Sequence, residues 1–361
     1  VTAYLLTVVA VVVLQLLRAA EAPAESGGED GWPHRATAAQ RGIDVACVAV
    51  LAAAPALRAW SIGTDTRMYV SMYNGAVDPA SWRNSSGQSV VELGYTLWEF
   101  ALKSLGLSAR WFLAATAVVT NGLQYGAIRM IAPKMLPAIS AYALSGLYLF
   151  QFNGMRQALA IAVFMFGMAL ILRGRRSGWA VLVVAVLIHR SAIIAVLAFA
   201  LSRRPRSRTT FSTRLVLLCG GTVLALLLAS AATSSFLTHL LGDKYGAYLG
   251  KDLGSGRGRL AHLVLMLAVI WFLHSTPIPG PLQCVSRFYS LGLGFQVVGL
   301  QLSVLDRGTL YFTAALPLLV PALVSHGSRA RHLVLWVGIV TYYFVNLTQY
   351  GDLLPYAWSV P

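Results

Sequence analysis

The chain is poor in charge: only 11% of its 361 residues are Asp, Glu, Lys or Arg, while 57% are hydrophobic and the mean hydropathy is +0.67. So little polar surface cannot cover a soluble globule of this size, which excludes a water-soluble domain. Acidic residues are the scarcest, 13 against 28 basic ones, giving a formal charge of +15. An excess of that size raises the question of nucleic acid. However, 24 of the basic residues are arginine and many lie in short loops between apolar runs, the pattern of anchoring at the inner membrane face, so no nucleic-acid partner is expected. Cysteine is nearly missing. Cys47, Cys219 and Cys284 each stand alone in or beside apolar sequence, which excludes a disulfide framework and a cysteine metal site and leaves them to packing. There is no D-x-D pair, no His/Asp cluster at ligand spacing and no phosphate-loop glycine pattern, so neither a metal nor a cofactor is expected.

What is abundant is long apolar sequence. Runs near the ~20 residues that cross a bilayer recur at about 1–17, 43–60, 109–131, 135–152, 157–172, 214–232, 260–275, 286–304, 309–325 and 332–347. They predict an all-α polytopic membrane protein, one transmembrane domain over residues 1–361 with about ten transmembrane helices. No basic residue precedes the first run and Arg18 follows it, which favours an uncleaved helix with its N-terminus outside.

With Arg18, Arg35 and Arg41 inside, alternation places the loop 61–108 outside, Arg129 and Lys134 inside, Arg156 outside and "RGRR" at 173–176 inside. The next apolar stretch, 178–201, carries His189 and Arg190 at its middle. If it crossed, the basic run 203–214 would be outside. Two half-length helices, 178–188 and 191–201, each reaching only ~16 Å, would form a re-entrant hairpin and keep both basic loops inside. Hydropathy alone also admits one long tilted helix with a satisfied histidine. In the hairpin reading His189 sits at a buried tip, where non-helical backbone must lie in protein or line a wet cavity. The C-terminal "YGDLLPYAWSVP" then falls outside.

This topology collects Arg58, Asp65, Tyr69, Glu92, Tyr95, Arg156, Gln157, His189 and Arg307 in the outer half. Ionisable groups at membrane depth are costly and are read as functional when several share one cavity. Arginine suits phosphate, because its planar fork donates two hydrogen bonds and its charge does not titrate. Three arginines here suffice for a diphosphate. Asp65 and Glu92 are the candidate bases, since burial raises a carboxylate pKa toward the working range. Each also has a plain structural role open to it: Asp65 as cap of a helix starting at 66, Glu92 as partner of an arginine. "LWEFALKSLGL" is amphipathic and too short to span, suited to the interface. The loop 233–259 combines tyrosines, lysines, arginines and a glycine-rich end; with 61–108 it is expected to rim an outward-facing cavity.

The succession "LRAWSIGTDTRMYVSMY" (57–73), "ELGY" (92–95), "NGMRQALA" (153–160), "HRSA" (189–192) and "DRGTLYF" (306–312) resembles the EpsG family, membrane proteins of exopolysaccharide synthesis regarded as Wzy-type polymerases. The resemblance covers about residues 1–350. It implies a GT-C-like fold of about ten helices plus the re-entrant hairpin, in the cytoplasmic membrane. It also implies an enzyme that moves a growing glycan from polyprenyl diphosphate onto another lipid-linked repeat unit at the outer face. Its partners would be the polyprenyl-diphosphate-linked oligosaccharide and membrane lipid, with room for a separate chain-length regulator. Carried across, the motifs give Asp65, Glu92 and Tyr95, Arg156 and Gln157, His189 and Ser191, and Arg307 and Tyr311 as site residues. Arg156, Arg307 and Arg58 would hold the diphosphate, with Tyr69 among the substrate-binding groups. Asp65 or Glu92 would take the acceptor proton, His189 being the alternative base or the group facing the leaving phosphate. A single-sugar transferase or glycan ligase would use the same chemistry. A lipid-linked sugar transporter would show helices broken symmetrically in both halves, and only one break is visible.

Overall fold

The computed structural model describes residues 1–21, 36–75, 92–203, 256–300, 303–349 and 351–359, and these are helical with one isolated β-bridge. The predicted span 214–232, Cys219, Arg35 and most of the loop 233–259 lie outside the described residues. In chain order the helices are α1 (Thr2–Ala20), α2 (Ala38–Leu57), α3 (Thr66–Asn74), α4 (Leu93–Ser104), α5 (Ala109–Ile131), α6 (Met135–Leu144), α7 (Gly146–Phe150), α8 (Met155–Leu172), α9 (Gly178–Ile188) and α10 (Ala192–Ser202). After the undescribed stretch come α11 (Gly256–His274), α12 (Gly280–Gly299), α13 (Ser303–Thr313), α14 (Leu316–Ser325) and α15 (Arg329–Gln349).

Four of these, α1, α2, α8 and α11, are long and apolar enough to cross a membrane, and a fifth span results if α13 and α14, bent by 50° at their break, count as one. The other predicted runs depart from simple spans for physical reasons. The stretch 135–152 is divided at Ser145, whose extended backbone separates α6 from α7. Helix α5 has 23 residues, but its inward face carries Thr116, Thr120, Asn121 and Gln124, all buried, which lowers its hydropathy. Those groups tie the bundle together. Asn121 donates to Gln151 Oε1 at 2.8 Å and accepts from the Tyr142 hydroxyl at 2.9 Å. Helix α8 is the central element, with 83% of its apolar window buried against 39%, 39% and 33% for α1, α2 and α11. It packs on α5 and α9.

The stretch 178–201 is a hairpin. Phe199 near the end of α10 lies 6.4 Å from Trp179 at the start of α9, and the Arg203 guanidinium lies 5.9 Å from the same indole. One straight helix would hold Trp179 and Phe199 ~30 Å apart. The chain reverses at His189, where the backbone becomes extended.

Helix α2 starts on a capping box, in which Thr37 Oγ1 accepts from Gln40 N while Gln40 Oε1 accepts from Thr37 N. Near this end Asp44 accepts from Arg18 Nε at 2.7 Å and from the Tyr125 hydroxyl, with Arg129 Nε at 3.6 Å, joining α1, α2 and α5. The opposite end of α2 is closed by the C-terminal tail. Ala59 N donates to Ala357 O at 2.8 Å, Ser359 N to Leu57 O at 2.9 Å and Gly63 N to Asp352 O at 3.1 Å, while Arg58 bridges to Trp358. The tail, which lies beyond the motifs that carry the resemblance, is therefore part of the folded bundle.

Candidate active site

Glu92 stands at the N-cap of α4, but its side chain makes no capping bond. Instead its carboxylate accepts from His189 Nδ1 at 2.9 Å and from Arg156 Nη1 at 3.2 Å, with the exposed Arg190 Nε further off at 3.8 Å. Three segments separated by 64 and 97 residues in sequence thus meet at one side chain that is only 10% exposed. Local backbone makes this approach feasible. A Cβ on Gly94 would lie 2.7 Å from the Leu187 carbonyl carbon, so only glycine lets α4 come this close to the end of α9, two residues before His189.

The electrostatics contradict the expectation that burial would leave Glu92 a proton acceptor. Burial pushes its carboxyl up, but the hydrogen bond and charge of His189 and the charge of Arg156 outweigh that and hold it at about 2. Glu92 is therefore ionised and fully engaged as an acceptor. Because a carboxylate can only accept, the His189 nitrogen facing it must carry the proton. In the neutral ring, the form a base requires, Nε2 then carries the lone pair, on a side chain 26% exposed.

Around this triplet the other predicted residues gather unevenly. The Arg156 guanidinium lies 5.9 Å from the Tyr95 ring centroid and within hydrogen-bonding reach of Tyr69. Gln157 Nε2 donates to the Arg307 carbonyl oxygen at 2.7 Å, docking α13 onto α8. Ser191 Oγ donates to the Tyr311 hydroxyl at 3.3 Å, docking α13 onto the hairpin. Arg307 thus meets Gln157 through its backbone, and its side chain is half-buried.

Arg58 and Asp65 stand apart from Glu92. Arg58 is 1% exposed, with Nε donating to Thr66 Oγ1 at 3.0 Å, Nη1 to Pro55 O at 3.1 Å and Nη2 facing Met155 Sδ at 3.8 Å. Its guanidinium also lies 5.5 Å from the Phe152 ring, so it joins α2 to α3 and α8 as a structural post. Asp65 is the N-cap of α3, as the plain reading had it, yet its carboxylate accepts from the neighbouring Thr64 hydroxyl at 3.1 Å and makes no capping bond.

A family model described as the EpsG family matches residues 43–358. The chain belongs to the EpsG family. No curated protein and no solved structure matches it. Membership in the EpsG family and the apolar helices together make this a membrane protein with an exopolysaccharide-related role. The EpsG match also runs through the tail to residue 358, beyond the limit near residue 350 that the motifs alone suggested.

Within this EpsG-family chain, two residues at the site escaped the sequence reading. Asn153, two residues before α8, accepts from Thr64 N at 2.7 Å and from Thr64 Oγ1 at 3.2 Å, fixing the Gly63–Asp65 turn against the start of α8. Gly63 has φ +82, and a Cβ there would lie 2.9 Å from Asn153 Oδ1, so this junction also needs a glycine. The other residue is Glu99, 4% exposed on α4, with a carboxyl oxygen that has no hydrogen-bond partner. Its spacing from Tyr95, one helical turn, was the available signal.

Proposed function

We propose that the protein is a Wzy-type polysaccharide polymerase that transfers a polyprenyl-diphosphate-linked glycan onto another lipid-linked repeat unit at the outer face of the cytoplasmic membrane. The observation that carries this reading is the double engagement of Glu92, which orients a phosphate-suited arginine and a histidine base in one stroke.

In this reaction the bond between the anomeric carbon and the diphosphate oxygen breaks, and the acceptor hydroxyl oxygen takes its place on that carbon. His189 Nε2 removes the hydroxyl proton, and Glu92 stabilises the imidazolium that results, the division of labour of a carboxylate–histidine pair. Arg156 receives the diphosphate and stabilises the charge that gathers on it as the bond breaks. Gln157 keeps α13 in place, and Ser191 and Tyr311 shape the side of the site beneath the hairpin. Arg307, half-buried on α13, is a second cation for the diphosphate. Asp65, on the turn leading into α3, is assigned to the acceptor side. Arg58 serves by positioning the Gly63–Thr66 turn. The loops 61–108 and 233–259 would rim the site and admit the lipid carrier, with both chain ends on the outer side and membrane lipid around the bundle. A chain-length regulator would bind elsewhere on the bundle.

The test is product length. Purified protein is incubated with a lipid-diphosphate-linked repeat unit and the glycans are resolved by size. A ladder of repeats supports the polymerase. A single increment would mean a transferase, and binding without transfer would mean a carrier.

A further inference from the structure

Glu99 is a carboxyl group with no evident structural use. It is 4% exposed, and its Oε1 has no hydrogen-bond partner. An ionised carboxylate left in that state would be destabilising, because burial removes water without supplying replacement bonds. Its surroundings are largely aromatic. Tyr95 lies one turn earlier on the same helix, is fully buried and also has an unpartnered hydroxyl, and it packs against Phe112, which in turn stacks on Tyr73 at 4.4 Å. The charged and titratable groups that act on Glu99 come from three helices: Arg156 of α8, Tyr73 of α3, and Lys103 and Tyr95 of α4 itself. Arg156 is the strongest of the cations, and it is the same guanidinium that rests over the Tyr95 ring and pairs with Glu92.

Arg156 therefore lies under the influence of two carboxyl groups with opposite characters. Glu92 is ionised and bonded, and its charge neutralises the guanidinium. A second anion at Glu99, one helical turn past the Tyr95 ring over which Arg156 rests, would compete with an incoming diphosphate for the same arginine, and like charges acting on one guanidinium in a low-dielectric setting repel. We propose that Glu99 gates the diphosphate site by its proton: Arg156 accepts an anionic diphosphate ester only while Glu99 is the neutral carboxylic acid. Donor binding is then coupled to retention of one proton, taken from solution if Glu99 was ionised beforehand. The inference rests on the diphosphate reading of Arg156 given above. Burial pushes the Glu99 carboxyl up to about 7 against the pull of Arg156 and Lys103, so the gate operates around neutral pH.

The experiment compares wild type with Glu99→Gln, which fixes the side chain in a neutral form of nearly the same shape. The probe is a farnesyl-diphosphoryl-glucose in detergent, whose two esterified phosphates neither gain nor lose a proton near neutrality. Its affinity is measured by titration across pH. With the carboxyl titrating at about 7, the two proteins bind alike at about pH 6, and the variant binds roughly thirtyfold more tightly at about pH 8.5. Any pH dependence that does not come from Glu99 is common to both proteins and cancels in the ratio. A ratio that stays constant across pH overturns the gate while leaving the diphosphate site intact. No binding by either protein overturns the diphosphate reading and the gate with it. Thermal unfolding without probe verifies that the variant is folded. Its margin over wild type should grow as pH rises from about 4.5 to about 7, because a carboxyl raised from 4.5 to about 7 contributes stability that is fully present below the unfolded value and lost by the folded one; a margin that does not change across this range would also overturn the proposal.

Discussion

Replacing Glu92 by glutamine keeps the shape of the side chain and removes its charge, which isolates what the carboxylate does. In the native protein it accepts from His189 Nδ1 at 2.9 Å and Arg156 Nη1 at 3.2 Å while only 10% exposed. The two bonds fall on different carboxylate oxygens, so the amide keeps one acceptor, where the bond weakens by about 1 kcal/mol, and turns the other into an NH2 that cannot accept, losing a bond of ~1.5–3 kcal/mol. Arg190, whose side chain is 64% exposed, adds nothing worth counting. Together these give about 2.5–4 kcal/mol, and if that free energy orients Arg156 and His189 in the transition state, the rate falls roughly seventy- to 900-fold. The assay is single-turnover glycan transfer by purified protein at saturating donor and acceptor, so that binding does not mask the chemical step. A Glu92→Gln variant that stays folded and transfers within about twofold of wild type would refute the reasoning, because the carboxylate would then be no more than an ion-pair partner.

Two further substitutions probe the geometry around it. Arg156→Lys keeps the charge but loses the planar fork, and it should lower the transfer rate by at least about tenfold; full activity in the same assay would remove the bidentate phosphate role. Gly94→Ala places a methyl group 2.7 Å from the Leu187 backbone, which should push α4 off α9 and destabilise the protein by ~1–3 kcal/mol. Thermal unfolding of the purified variant checks this, and an unchanged transition would show that α4 and α9 do not meet as described.

The hydrophobic runs made the class legible at once, because a chain with 11% charge has no soluble alternative. The hairpin was legible too, through the cost of carrying the basic run after Ser202 to the outside. Span counting was less informative, because residues such as Asn121 and Gln124 turn a long helix polar on the face that builds the core. At the site, motif order picked out Glu92, Arg156, His189, Gln157, Ser191 and Tyr311; side chains join Glu92 to Arg156 and His189 and Ser191 to Tyr311, while Gln157 bonds the Arg307 backbone. Motif order could not separate roles. Arg58 and Arg156 look equivalent in sequence, yet one is consumed by Thr66, Pro55 and Phe152 while the other faces a carboxylate. Nor could it fix the direction in which Glu92 is driven, because burial and two cations act in opposite senses and only their geometry decides which wins. The tail at 351–359 gave little signal because its contacts with Leu57, Ala59 and Gly63 are made by backbone atoms, which any sequence supplies, and its side-chain contacts, such as Tyr356 to Ala54 O, follow no motif.

The most direct test of the central claim places wild type, Arg156→Ala and His189→Ala side by side with a lipid-diphosphate-linked repeat unit and reads glycan length. A ladder from the wild type that disappears in both folded variants is the predicted result. A ladder that persists in either variant would contradict the assignment of the Glu92-centred cluster as the active site.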